Sequence, residues 1–283
     1  MIQAFIEADS LAPSGVRLTT FVLKYPRFIH AELMTHRVFS RNASSSRAIP
    51  VAKIIENIAE DPAMPIHWGK NQAGMQAYEE HENPELGEKL WLKGLNEMIG
   101  IAEKMSKAGF HKQIVNRVLE PWSWIHVVVT ATDFANFFAL RNHHMAQPEI
   151  KKLAEEMWEA YQKSTPEERL PGVWHLPFVD DALYKKAIIK TGDYNATIAL
   201  LLKCSTARCA RVSYMNHDGT NPTIEDDLKL YDRLMGAHPL HASPAEHQAM
   251  AVGDPNVRSG NLKGWIQYRK CCQGENITEY SGG

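Results

Sequence analysis

The sequence predicts a mixed α+β fold: an antiparallel or mixed sheet packed with helices, plus a mainly helical insertion. Two runs rich in β-branched and aromatic residues supply the sheet, Val16 to Tyr25 (VRLTTFVLKY) and Trp122 to Thr132 (WSWIHVVVTAT). Helical patterns fill the interval between them, at Val51 to Ala59 and from Asn83 to about Ala108. Two more follow the second run, over Asp133 to Leu140 and from Gln147 to about Lys163.

Size and composition bound the rest. At 283 residues and 44% hydrophobic content the chain can bury a substantial core, here read as one domain over 1–283. Residues 51–120 form the helical insertion and 271–283 a flexible tail. Formal charge is −2, so the global basic field that duplex binding requires is absent and no nucleic-acid partner is expected. No stretch of about 18 apolar residues occurs and the N-terminus has no basic, then apolar, leader. The expectation is a soluble cytoplasmic protein with no membrane partner.

In chain order, Pro26 closes the first strand and Phe28 to Met34 delivers His36 and Arg37 to its end. The run Ser44-Ser45-Ser46 and Pro50 mark a loop. Residues 61–82 read as irregular. Asn83 is the N-cap of the long helix with Pro84 in its first turn, and Gly109 stops it. A further helix is expected over His111 to Leu119. Pro148 opens another in its first turn. Residues 164–192 are polar and carry no motif. Ala196 to Leu202 reads as a helix capped by Asn195, and Gly260 to Lys270 as a short strand bounded by glycines.

Three stretches carry chemistry. Thr35 to Arg47 packs three arginines, a histidine, an asparagine and four serines into thirteen positions. Arginine forks bind phosphate bidentately, and serine hydroxyls with successive N–H groups cradle the remaining oxygens. The second is Leu140-Arg141, followed by Ala146-Gln147-Pro148-Glu149-Ile150. The third joins Arg208 to Tyr214 (RCARVSY) with His241 to His247 (HASPAEH), where Ser243, Pro244 and Glu246 suit a helix start with a capping box. No metal site is expected: adjacent His143 and His144 point about 100° apart on a helix. Cys204, Cys209, Cys271 and Cys272 fit neither a zinc spacing nor a disulfide framework, and none lies in the motif stretches of the first half.

The first stretch resembles the signature of the flavin-dependent thymidylate synthases, RHRxxSxNExSxR, with His36, Arg37, Ser40, Asn42, Ser45 and Arg47 in register. Thr35 stands in place of the first arginine, Ala43 in place of the glutamate, and Glu32 where glutamine is usual. Leu140 to Ile150 resembles the LRxxxxAQxEI element of the same family. The third pair resembles ARVSY and HxSPxEH, which in typical members precede the arginine-histidine motif. The chain thus resembles a divergent, phage-like member with rearranged motif order, residues 207–250 being a permuted element.

The resemblance implies a fold like that of thymidylate synthase-complementing proteins and conversion of dUMP to dTMP. It also implies FAD reduced by NADPH, methylenetetrahydrofolate as carbon donor, no cysteine nucleophile, and a homotetramer with shared sites. In that scheme His36, Arg37, Asn42, Asn136, His241, Ser243 and Glu246 face the flavin. Glu32, Ser44, Ser45, Ser46, Arg47, Arg117 and Arg141 hold the pyrimidine deoxynucleotide monophosphate, with Arg141, His36 and Ser45 closest to the chemistry. Because ionised glutamate only accepts hydrogen bonds, Glu32 leaves open a ring with an amino donor, such as dCMP, methylated or hydroxymethylated. A non-catalytic nucleotide-binding homologue is a further reading. So is a nucleic-acid module using Arg37, Arg41 and Arg47, which the net charge disfavours.

Overall fold

The computed structural model describes residues 1–212, 221–237 and 239–276. Its main sheet starts with a hairpin of β1 (Gln3–Leu11) and β2 (Arg17–Pro26). The turn closes with Gly15 N donating to Ala12 O at 2.9 Å, at a left-handed φ of +77° that suits glycine. Strand β1 is not legible in the sequence, because Glu7 and Asp9 interrupt its apolar residues. Asp9 is there to receive Arg17, whose Nε donates to Asp9 Oδ1 at 2.9 Å.

Short helix α1 (His30–Leu33) follows β2, and edge strand β3 (Ser40–Ala43) carries the middle of the arginine-serine stretch. Helices α2 (Val51–Glu60), α3 (Pro84–Lys107) and α4 (Lys112–Val115) come next, before β4 (Trp124–Ala131) returns to the sheet. Helices α5 (Ala135–Arg141) and α6 (Pro148–Lys163) lead to β5 (Glu167–Glu168). The strand order is β3-β4-β2-β1-β5, antiparallel except for the β1–β5 pair.

Side-chain alternation gives this sheet two different faces. On one, Phe21, Leu23, Tyr25, Ile125, Val127 and Val129 pack against Leu33, Phe134, Phe137, Ile150, Leu153 and Met157. Fully burying each such side chain is worth roughly 1.5–3 kcal/mol. The opposite face presents Thr20, Val22, Val128 and Thr130; Val22 and Val128 lie under Phe178, Cys209 and Val212.

The helices between β3 and β4 have their own core of Ile54, Ile58, Leu95, Ala102, Val115, Leu119 and Trp122. Leu86 N donates to Asn83 Oδ1 at 3.0 Å, as the N-cap reading requires. The helix expected over His111 to Leu119 is instead one turn of α4 followed by a 3-10 segment, Asn116–Trp122. Pro121 cannot donate a backbone bond there, and buried Asn116 Nδ2 donates to Ser46 O at 2.7 Å and Ile49 O at 3.0 Å.

The region 164–192, silent in sequence, contains β5, β6 (Trp174–His175) and α7 (Asp181–Thr191). Helix α8 (Tyr194–Arg211) is much longer than expected, and its cap is Asp193 rather than Asn195: Ala196 N donates to Asp193 Oδ1 at 2.8 Å. Helix α9 (Ile224–Met235) has a Thr223/Asp226 capping box. The chain ends in β7 (Ala249–Ala251), β8 (Arg258–Ser259), β9 (Leu262–Lys263) and β10 (Trp265–Gln267), with a second sheet ordered β10-β7-β6.

Candidate active site

Residues 27–47 build the site's frame. After α1 the chain turns tightly, with His36 N donating to Leu33 O at 3.1 Å, and Arg41 Nη1 donates to Met34 O at 2.8 Å and His36 O at 3.2 Å. The turn buries His36 to 7% exposure between the rings of Phe39 and Phe137, at centroid distances of 5.7 and 4.9 Å.

Arg141, at the end of α5, reaches this turn with all three nitrogens. Nε donates to His36 Nε2 at 3.0 Å, Nη2 to Thr35 Oγ1 at 3.3 Å, and Nη1 pairs with Glu32 Oε2 at 3.5 Å. Two motif stretches far apart in sequence therefore meet in one constellation. Because His36 Nε2 accepts, the ring is neutral with its proton on Nδ1. Burial lowers its pKa, and the Arg141 and Arg41 charges lower it further. Burial raises the Glu32 carboxyl, with Arg141 opposing and Glu149 adding to the shift. Glu149 is itself buried and structural: Ile66 N donates to its Oε1 at 2.8 Å, and Gln147 donates to its Oε2.

The serine run divides in two. Ser44 and Ser46 are spent inward. His126 N donates to Ser44 Oγ at 3.2 Å, Arg27 Nη2 donates to Ser44 O at 3.0 Å, and Ser46 Oγ donates to Glu120 Oε1 at 2.9 Å. Ser45 and Arg47 are exposed, as are Arg37 and, one turn before Arg141, Asn136. Arg117 is not joined to Arg141; it pairs with Glu120, donating to Oε1 at 3.1 Å. A cavity of about 530 Å³ lies behind Ser44 and Ser46, against Arg27, His126 and α2.

The HASPAEH stretch packs against β3 in the same chain. It is a four-residue 3-10 turn, Ser243–Glu246, and not the capped α-helix start expected: Ser243 makes no capping bond, and Glu246 pairs with Arg269. The reason is space, since buried His247 and Gln248 lead directly into β7. So short a turn has no useful dipole, and the diphosphate argument from a helix N-terminus lapses. Gln267 Nε2 donates to Glu246 O at 3.2 Å and to Asn261 Oδ1 at 2.8 Å, and Asn261 Nδ2 donates to Val38 O at 2.7 Å. Those bonds tie the turn to the loop after His36. His241 and Ser243 are exposed.

In the other half of that element, Arg208 Nε donates to Asp227 Oδ2 at 2.8 Å and Nη1 to Phe178 O at 2.9 Å, while Arg211 also pairs with Asp227. Both arginines serve the fold. Ser213 and Tyr214, which complete the ARVSY match, lie outside the described residues.

Sequence reasoning missed His247. It is fully buried, its Nδ1 lies 2.8 Å from Thr130 Oγ1 and its Nε2 3.1 Å from the Asn42 amide. Its place as the last letter of HxSPxEH was the available signal. Burial raises all four thiols, Cys204 to about 12 and Cys272 to about 11, so none has the depressed pKa of a nucleophile. Among the described residues no group of three or more His, Cys, Asp or Glu could hold a metal, and no helix is long and apolar enough to cross a membrane.

A mixed sheet packed with helices, with an arginine–histidine constellation beside edge strand β3, defines the class: an α+β protein. The sequence profile described as thymidylate synthase complementing protein matches residues 12–167, more than half of the chain, and the protein belongs to that family. The matched span takes in Thr35 to Arg47 and Leu140 to Ile150; residues 207–250 lie beyond it. No curated protein matches the chain. Two solved structures of a UMP/dUMP methylase PolB from Streptomyces cacaoi are similar to it, one bound with 5-Br UMP and one with 5-Br dUMP. Each is 16% identical with a TM-score of 0.46 and matches 58% of this chain, covering 90% and 91% of the PolB chains respectively.

Proposed function

We propose that the protein converts dUMP to dTMP, with methylenetetrahydrofolate as carbon donor and NADPH-reduced FAD as reductant, and without a cysteine nucleophile. The observation that carries this reading is Arg141 gripping Thr35, His36 and Glu32, which unites two of the family's motif stretches at one point. Membership of the thymidylate synthase complementing family supports a nucleotide methylase, and the four raised thiols support a route that bypasses covalent addition to the pyrimidine.

The residues present fit a flavin nucleotide. Arg37 is an exposed cation on the loop after α1, and Asn42 on β3 lies against the turn whose first residue, Ser243, is exposed. When bound, the flavin supplies the hydride equivalents that no side chain provides. The protein's own residues bind and orient. Arg37 and Asn42, with His241, Ser243, Glu246 and Asn136, hold the cofactor. Ser45 and Arg47 take the nucleotide phosphate, supported by the Ser44 and Ser46 backbone. Arg141 orients the pyrimidine and stabilises charge on it, and neutral His36 fixes the guanidinium plane. Homotetramer formation with shared sites belongs to the same proposal.

Glu32 favours a second reading. Its ionised carboxylate accepts and does not donate, which suits the exocyclic amine of dCMP. Anaerobic turnover of the FAD-loaded protein, offered dUMP and dCMP in parallel with products identified by mass, tests both. Methyl gain on dUMP supports the main reading; product from dCMP alone replaces it.

A further inference from the structure

Six polar side chains run in single file across the sheet face opposite the aromatic core. Ser10 Oγ (β1) lies 2.9 Å from His175 Nδ1 (β6), and His175 Nε2 lies 2.8 Å from Thr20 Oγ1 (β2). The Thr20 and Thr130 hydroxyls (β2 and β4) are 2.7 Å apart, and Thr130 Oγ1 is 2.8 Å from His247 Nδ1. His247 Nε2 meets the Asn42 amide (β3) at 3.1 Å. All but Asn42 are fully buried.

Proton accounting makes this file cooperative. Each neutral imidazole between two partners gives one proton and takes one, and a buried threonine that accepted from both neighbours would leave its own proton unpaired, so the favoured states run every bond toward Asn42 or every bond toward Ser10. Burial drives both imidazoles down to about 3, which keeps them neutral at working pH. The surroundings of Asn42 choose the direction. Ser243 O and Arg41 O face its amide at 3.2 and 3.1 Å, and both only accept, so the amide nitrogen must be turned toward them. That nitrogen has two protons for three acceptors and shares them with His247 Nε2 at 3.1 Å, which faces an N–H donor and so must itself accept. His247 Nδ1–H donates to Thr130, Thr130 to Thr20, Thr20 to His175 Nε2, and His175 Nδ1–H to Ser10 Oγ. Ser10 also accepts from Arg169 Nε at 3.2 Å.

We propose that this file is a positioning relay, with His247 as its key residue, that locks the Asn42 amide with Oδ1 turned away from the protein. Strand β3 thereby offers a hydrogen-bond acceptor, not a donor, to a ring N–H of the bound heterocycle. That the heterocycle is a flavin rests on the function proposed above; the relay does not.

The test reads tautomers by 15N NMR of the full-length protein labelled in histidine, with His175 and His247 assigned by His→Gln variants. In the wild type both rings carry the proton on Nδ1. Asn42→Asp offers only acceptors, so His247 must donate from Nε2 and the file reverses. His175, two threonines away, then also moves its proton to Nε2. Thr130→Ser keeps that coupling, whereas with Thr130→Val the Asn42→Asp change reaches His247 and leaves His175 unmoved. Nε2–H rings in the wild type, or a folded Asn42→Asp protein whose His175 does not follow, overturns the relay. FAD titration supplies the ligand arm: Asn42→Leu loses affinity on the order of tenfold, one hydrogen bond's worth, and Asn42→Asp loses less. Equal or greater loss in Asn42→Asp would make the outward atom a donor and overturn the assignment. An unchanged affinity in both variants, with tautomers as stated, would leave the relay standing and remove the flavin from Asn42.

Discussion

Arg141 Nε donates to His36 Nε2 at 3.0 Å, pairing a permanent cation with an imidazole that must stay neutral to accept it. The bond spans 105 residues of sequence and is made possible by the aromatic walls of Phe39 and Phe137, which strip water from the ring. From this pair follows a requirement on pH. Protonating His36 turns its acceptor into a second donor facing a guanidinium. Burial and the two arginines hold its pKa below the ordinary value of about 6.5, so nucleotide affinity should be flat through neutral pH and fall only as acid reaches that lowered pKa. A titration of dUMP affinity against pH measures this; loss beginning above pH 7 would contradict it.

Replacing Arg141 by Lys keeps one charge and discards the three-pronged geometry. It should reduce kcat/KM by about 10²-fold or more, the usual cost of losing a preorganised charge stabiliser. His36→Gln, which retains an acceptor, should cost less than His36→Leu. Steady-state kinetics of the three variants check the order.

Glu32→Gln tests the specificity reading. An amide both donates and accepts, so the ratio of dUMP to dCMP turnover should move toward dUMP, and an unchanged ratio would remove Glu32 from base recognition.

Acid should unfold the protein through its buried histidines. The folded pKa of His175 and of His247 is about 3, below the unfolded value of about 6.5, so the unfolded chain binds more protons between those limits and stability falls as pH drops through them. At pH 4 each ring should cost roughly 3 kcal/mol relative to neutral pH. Urea midpoints at pH 7 and pH 4 measure this, and His175→Gln should flatten the dependence.

Asp227 is fully buried and receives both Arg208 and Arg211, so Asp227→Ala strands two cations. A loss of about 3–5 kcal/mol is expected in denaturant unfolding.

Much of the fold is legible in the amino-acid pattern where local chemistry and tertiary need agree. Val16 to Tyr25 and the long helix after Asn83 announce themselves by period, cap and stop. Strand β1 does not, because Glu7 and Asp9 serve partners far away, Phe178 N and Ser164 Oγ. The HASPAEH turn reads as a helix start because Ser, Pro and Glu at that spacing suit one; what prevents it is strand β7, two residues beyond His247. The candidate site is legible in Arg141 and His36, whose residue types state their chemistry. It is illegible in Ser44 and Ser46, which look like Ser45 in sequence and differ only in finding tertiary partners, His126, Arg27 and Glu120, in the loop after β3. His247 and His175 stay hidden because their pairing runs through two threonines on separate strands, Thr20 on β2 and Thr130 on β4.

The most direct test of the central claim is a single anaerobic turnover of the protein loaded with reduced FAD, given dUMP and methylenetetrahydrofolate and followed for both flavin and nucleotide. Reducing a methylene to a methyl takes two electrons, which the flavin supplies in this account. It therefore predicts one dTMP for each flavin reoxidised, with the folate released as tetrahydrofolate. Flavin that stays reduced while dUMP and the folate are bound, or dTMP accompanied by dihydrofolate, would contradict it.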